Sequence, residues 1–113
     1  MFDPKLLPRL KGPVTFTLDS GVELHEESPD TFELPSEEER TCLRPRQFAK
    51  LIFRMTDGEN VAVERMWVMI LAVTPDGYRG MLDNHSDCTQ SIGRGLIVDF
   101  RAEHIIQIHA TMA

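Results

Sequence analysis

Two hydrophobic patterns run along the chain. Phe48 to Met55 (FAKLIFRM) alternates, with Ala49, Leu51, Phe53 and Met55 on one side and Lys50 and Arg54 on the other. That is the period of a half-buried strand. Val61 to Val73 (VAVERMWVMILAV) is nearly continuous instead, and such a run has no period that separates strand from helix. Its β-branched residues Val61, Val63, Val68, Ile70 and Val73 suit a pleated surface. Thr74-Pro75-Asp76-Gly77 follows, in which Pro75 presets φ for a turn and Gly77 can take a positive φ. Tyr78 to Leu82 then forms a second short extended run, so the segment is expected to be a β-hairpin.

On the long strand, Val61, Val63, Arg65, Trp67, Met69, Leu71 and Val73 share one face. Ala62, Glu64, Met66, Val68, Ile70 and Ala72 share the other. From Met66 onward both faces are apolar, so both need a cover. A barrel interior supplies one. The N-terminal segment, a second copy of the chain or another protein supplies the other.

The remaining segments complete a mainly β domain. Residues 1–13 hold Pro4, Pro8 and Pro13, which favours an extended arm over a helix. Val14 to Leu18 is expected to be a strand, Asp19-Ser20-Gly21 a turn, and Val22 to Leu24 a returning strand. His25 to Leu34 is polar and irregular, pinned by Phe32 and Leu34. Ser36 as N-cap and Glu39 three residues on make a capping box, with Glu37, Glu38 and Glu39 favoured by the helix dipole, so a short helix runs from Glu37 to Leu43 before Pro45. Asp57-Gly58 is a turn, and Asp83 to Gly95 is a long loop anchored by Ile92. Leu96 to Phe100, a tight turn at Arg101 to His104, and Ile105 to His109 close the order. Five short strands with one helical turn before the last is the order of a small Src-homology-3-like (SH3-like) barrel. The expected layout is a single domain: 1–34 an acidic arm and hairpin, 35–44 a short helix, 46–110 the barrel.

Charge alters the picture more than composition does. The 113 residues are 42% hydrophobic and 27% charged, ordinary for a globular domain. The net charge is −6, and ten acids against four bases in residues 1–40 account for all of it. An acidic front and a balanced remainder offer no basic stripe for phosphates, which argues against nucleic acid and anionic membrane as partners. No 18-residue apolar span is present, and the start lacks a signal-peptide core, so a cytoplasmic protein is expected. Cys42 and Cys88 are then reduced thiols; two isolated cysteines form neither a disulfide framework nor a zinc motif.

Thr31-Phe32-Glu33-Leu34-Pro35, Glu39-Arg40, Leu43-Arg44-Pro45 and Lys50-Leu51-Ile52-Phe53 form a series with Glu64-Arg65-Met66-Trp67-Val68, Gly80-Met81-Leu82-Asp83-Asn84 and Glu103-His104-Ile105-Ile106. The series resembles a family of small uncharacterised bacterial proteins, a domain of unknown function with an ERMWV…GxLxN…EHI pattern, over about residues 31–108. The resemblance implies a bacterial origin and the fold, and brings no established activity. Some related small domains are suspected of neutralising toxins. Arg46-Gln47 stands where the family pattern has Gly-Asp.

The chemistry-bearing candidates are few. Asp83-Asn84-His85-Ser86-Asp87-Cys88 concentrates carboxylate, imidazole and thiol, so His85, Asp87 and Cys88 are the metal-ligand or nucleophile candidates. They lack a second ligand pair and an oxyanion donor, so neither a metal nor a catalytic residue is expected, and no cofactor. His104 and His109 are read as structural. Trp67, with Met66, Met69 and Tyr78 near it, is read as core before peptide groove, and Glu64 and Arg65 as surface handles. The leading expectation is a non-catalytic binding module that associates through Arg65, Met66, Trp67, Val68, Ile70 and Tyr78, with a homodimer or a protein partner. The alternatives are an immunity or antitoxin-like protein whose acids Glu23, Glu26, Glu27, Glu37 and Glu38 block a basic toxin, and a metal protein or enzyme built on the 83–88 loop.

Overall fold

Strand β2, Phe48–Thr56, is the segment on which the others assemble, because it is buried on both sides. Ala49, Leu51, Phe53 and Met55 are wholly inside, and Ile52 on the opposite face is 3% exposed. The computed structural model describes residues 9–109, so residues 1–8 of the expected arm lie outside the described residues. Around β2 the chain places β1 (Thr15–Leu18), α1 (Gly21–Glu27), α2 (Glu37–Thr41), β3 (Val61–Thr74), β4 (Gly77–Leu82), β5 (Ile97–Phe100), a 3₁₀ turn (Ala102–His104) and β6 (Gln107–His109). The architecture is mainly β, a curled antiparallel half-barrel with two short helices.

β3 lies along the whole of β2, from Phe48 opposite Met69 to Thr56 opposite Val61. β4 follows β3, and β5 follows β4. β1 and β6 pair with β2, at Phe53–Thr56 and Phe48–Lys50 respectively. All of these pairings are antiparallel. The Val14 to Leu18 strand therefore extends the sheet instead of covering the outer face of β3.

The inner face closes on Leu51, Phe53, Met55, Met66, Val68, Ile70, Leu82, Val98, Phe100 and Ile105. Each such side chain contributes about 1.5–3 kcal/mol of burial. Phe16 packs on Phe53 with ring centroids 5.2 Å apart. Gly80 is the point where Val68 and Phe100 come close to the β4 backbone, since a Cβ there would lie 2.3 Å from Val68 Cγ1. A smaller cluster sits outside the main core. Ile52 and Ile106 are buried there, and Gly21 brings the start of α1 close, where a Cβ would meet Ile106 Cγ2 at 2.8 Å and Leu34 Cδ1 at 3.0 Å.

The segment after Leu18 also differs from expectation. Val22 to Leu24 is helical, not a returning strand. Ser20 caps α1, its side chain accepting from the Glu23 N–H at 3.2 Å, and that local bond favours a helix turn over a hairpin. The α2 capping box, by contrast, forms as expected, with Ser36 and Glu39 bonded reciprocally at 3.1 Å. Beyond it, Arg40 is 8% exposed and donates to the carbonyls of Pro35 and Ala102 at 3.0 and 3.2 Å. The Tyr78 hydroxyl donates to the Arg40 carbonyl at 2.7 Å and accepts from Leu43 N–H. Tyr78 is thus a buried tie between β4 and α2, and is not available to a partner.

Arg46 has φ +77°, the only positive value among the described non-glycine residues. It follows Pro45, and the Gln47 N–H returns to the Arg44 carbonyl at 3.2 Å. Proline and then a positive φ is the arrangement of a type II turn, whose third position favours glycine. Arginine thus stands at the one described non-glycine position where the backbone disfavours a side chain. Arg46→Gly is expected to raise stability by about 0.5–1 kcal/mol, the relief of left-handed strain less the added chain entropy. Chemical denaturation checks it, and a lower midpoint would contradict the account.

Candidate functional site

The loop after β4 is held by one carboxylate. Glu64, half-buried on β3, accepts from the Ser86 hydroxyl and from the backbone N–H groups of Asp87 at 3.0 Å and Cys88 at 3.3 Å. Ser86 Oγ in turn accepts from the Cys88 and Thr89 N–H groups. Asn84 Oδ1 accepts from the Trp67 N–H at 2.5 Å, and the Asp83 N–H donates to the Trp67 carbonyl at 2.9 Å. Asp83 to Cys88 therefore runs along the open flank of β3, where β4 no longer reaches. Leu10, buried, adds its N–H to the Cys88 carbonyl at 2.8 Å, and Ile92 anchors the loop from within. Glu64 is an anchor, and its expected role as a surface handle is corrected: unpaired loop N–H groups beside the strand recruit the nearest carboxylate.

This arrangement separates the three side chains considered for chemistry. His85 and Asp87 are exposed, whereas Cys88 is 2% exposed. Burial first, and the neighbouring Glu64 carboxylate second, push the Cys88 thiol up to about 12. A thiol so held is a poor nucleophile and a poor ligand. Among the described residues no three His, Cys, Asp or Glu side chains converge as a metal site. Cys42 and Cys88 are both free, Cys42 exposed.

The assigned interface residues divide between two faces. Met66, Val68, Ile70 and Tyr78 are 2%, 0%, 1% and 3% exposed, all inside the core. Arg65 and Trp67 lie on the outer face, so Trp67 is not the largest core residue. The reason is the period of two: with Leu51 opposite Met66 and Ala49 opposite Val68, the β2 core face carries the even-numbered residues of β3 inward. The outer face then carries the odd-numbered ones, up to a bulge at Leu71.

That outer face is apolar along one cross-strand row. Ile97 lies opposite Met81, Met81 opposite Met69, Met69 opposite Phe48, and Phe48 opposite His109. Ile97 is 50% exposed and Leu71 39%, while Met69, Met81 and Phe48 are half-buried. Trp67 stands one step along β3, edge-on to His109 with centroids 6.1 Å apart, and Lys50 Nζ lies 5.1 Å from its centre.

Beside the row, the chain from Asp30 to Pro35 crosses the outer face and leaves a groove of about 650 Å³ against Lys50, Arg65, Ile106, Gln107 and Ile108. His25 Nδ1 is 2.6 Å from the Phe32 carbonyl and must carry the hydrogen, since a carbonyl only accepts. This bond ties the crossing segment to α1 and sets Phe32 under Arg65, whose guanidinium carbon is 5.4 Å from the ring centre.

No family model matches the chain, nor does any curated protein or solved structure. No described helix is long and apolar enough to cross a membrane.

Two outcomes test this geometry. In the native protein at pH 8, Ellman's reagent is expected to titrate Cys42 promptly and Cys88 slowly. Glu64→Ala is expected to speed Cys88 at least tenfold and to cost about 1–3 kcal/mol, as its loop donors lose their acceptor. An unchanged Cys88 rate would contradict the anchoring role. His104 supplies the second outcome. Its Nδ1 accepts from the Arg101 N–H at 2.9 Å, and burial holds its pKa below the usual 6.5. The unfolded chain then takes up a proton that the folded one resists, so stability is full above about pH 6.5 and falls as the pH drops below it. Thermal melts from pH 7.5 to 5.5 are expected to fall more steeply for the native protein than for His104→Asn; equal slopes would contradict this.

Proposed function

We propose that the chain is a non-catalytic interaction module of the SH3-like barrel class that pairs with a second copy of itself through the outer face of its sheet. The order β6–β2–β3–β4–β5, with a 3₁₀ turn between β5 and β6, supports the class. One observation carries the function: the row Ile97–Met81–Met69–Phe48, joined by Leu71, is an apolar strip with Ile97 and Leu71 exposed, beside the part of the outer face that the Asp30–Pro35 segment crosses. Strips of this kind on otherwise polar proteins mark association surfaces.

Charge favours a second copy as the occupant. The net charge of −6 lies wholly in residues 1–40, so copies that meet through that part of the chain repel each other. At the β4–β5 end of this strip the charges cancel in pairs, Arg79 with Asp99 through bonds of 2.8 and 3.2 Å and Asp83 with Arg94 at 3.4 Å. A two-fold interface sets each patch against itself, so a patch with no net charge meets its copy without conflict. Native mass spectrometry is expected to find a dimer. Ile97→Asp and Leu71→Asp are expected to return monomers with intact β-sheet circular dichroism, since both side chains are exposed. A native monomer, or a folded double variant of unchanged mass, would sink the proposal. Val68, wholly buried, is unsuited to the same experiment because an acid there would unfold the domain.

A second reading, neutralisation of a basic toxin, draws on Glu23, Glu26, Glu27, Glu37 and Glu38. All five are exposed, and none is in an ion pair among the described residues.

A further inference from the structure

Four cations project from the outer face of β2, β3 and β4, and they fall into two pairs of different kind. Arg54 is held by Asp19 through bonds of 2.9 and 2.8 Å, and Arg79 by Asp99 in the same two-pronged way. Lys50 and Arg65 have no such partner among the described residues: no carboxylate or carbonyl bonds either side chain. Each lies against an aromatic ring instead, Lys50 on Trp67 and Arg65 on Phe32. A ring face positions a cation but leaves its N–H donors unspent.

Their placement makes them one unit. Lys50 is opposite Trp67 and Ile52 is opposite Arg65, so Lys50 and Arg65 are diagonal neighbours on the same face. Diagonal neighbours are within joint reach of one small anion when both side chains are long. Both line the groove under the Asp30–Pro35 segment, whose apolar wall is Phe32, Leu34, Ile106 and Ile108. Asp30, Glu33 and Glu39 form the rim. Glu39 is committed to the Ser36 capping box, and none of the three bonds to the cations below.

We infer that this groove is a binding site for a peptide segment of another protein, with the side-chain carboxylate of the segment held by Lys50 and Arg65. The chemistry selects the class. A carboxylate fits the fork of a guanidinium with two parallel bonds, and such charge-assisted bonds are roughly twice as strong as neutral ones. The apolar wall accepts the residues on either side of the acid. The acidic rim repels a polyanion such as a nucleic acid and favours a segment in which bases flank the acid. This site goes beyond self-association: it lies across β2, β3 and β6 beside the Asp30–Pro35 segment, while the self-association strip runs toward β4 and β5.

The test uses the full chain and two fluorescent heptapeptides of alternating leucine and valine with a lysine at each end. One has a central glutamate, the other a central glutamine. The glutamate peptide is expected to bind at least fivefold more tightly, with amide shifts in the nuclear magnetic resonance spectrum centred on Phe32, Lys50, Arg65 and Gln107. Lys50→Gln with Arg65→Gln is expected to abolish the preference. Equal binding of the two peptides, no binding of either at millimolar concentration, or shifts centred elsewhere would overturn the assignment. Inorganic phosphate displacing the glutamate peptide at lower concentration than acetate would also overturn it, in favour of a phosphate ligand. A monomeric protein that still prefers the glutamate peptide would refute self-association and support the groove, so the two failures are separable.

Discussion

The register of β3 on β2 is the constraint from which the other features follow. Nine consecutive residue pairs decide which side chains of the long strand enter the core. A slip of one residue would exchange Met66, Val68 and Ile70 for Trp67, Met69 and Leu71. The turn between the strands helps to lock that register. Asp57 Oδ1 accepts from the N–H groups of Glu59 and Asn60 at 2.9 and 2.8 Å, and Oδ2 from Lys11 N–H at 2.9 Å. These bonds, that from Asn60 foremost, hold the Asp57 carboxyl at about 2. From this register follow the composition of the core, the anchoring of the loop by Glu64, and the set of apolar residues left outside.

How much of this was legible in the sequence depends on whether a local signal or a partner strand decided the matter. Phe48 to Met55 alternates because one face meets the core, and Ala49, Leu51, Phe53 and Met55 are accordingly buried. The hairpin at Pro75-Asp76, the capping box at Ser36 and the anchor Ile92 were equally local. β3 was different. Both of its faces are apolar beyond Met66, so only the pairing with β2 could say which is inside; of the six residues expected at an interface, Met66, Val68, Ile70 and Tyr78 lie in the core and Arg65 and Trp67 face outward. Glu64 is the even-numbered polar residue of that strand, a signal that it faces a polar lining, but its loop partners are 22 to 24 residues away. Ser20-Gly21-Val22-Glu23 carries an N-terminal helix pattern in four residues, but Val22 and Leu24, alternating after a turn, suit a returning strand equally well, so the sequence alone does not separate the two.

The candidate surfaces have a common physical origin. A curled sheet that fills its concave side with Met66, Val68, Ile70 and Phe53 has to leave its convex side to α1, the crossing segment, or solvent. α1 and the segment around Leu34 cover the Ile52 and Ile106 corner, and Phe32 reaches on to Arg65. What remains is divided between a charge-neutral apolar strip and a groove with two cations resting on aromatic rings. In a chain whose net charge is −6, these are the places where an anionic or an identical partner meets least repulsion.

Trp67 is the only tryptophan and stands where the strip and the groove adjoin, which makes it the most direct reporter of the claim that the outer face is a working surface. The measurement is acrylamide quenching of its fluorescence across a dilution series from about 100 µM to 0.1 µM, a range chosen to span typical dimer affinities. The account expects strong quenching in the dilute protein, progressive protection as concentration rises, and no such protection in Ile97→Asp. A tryptophan shielded equally at every concentration, as a core residue would be, would contradict it.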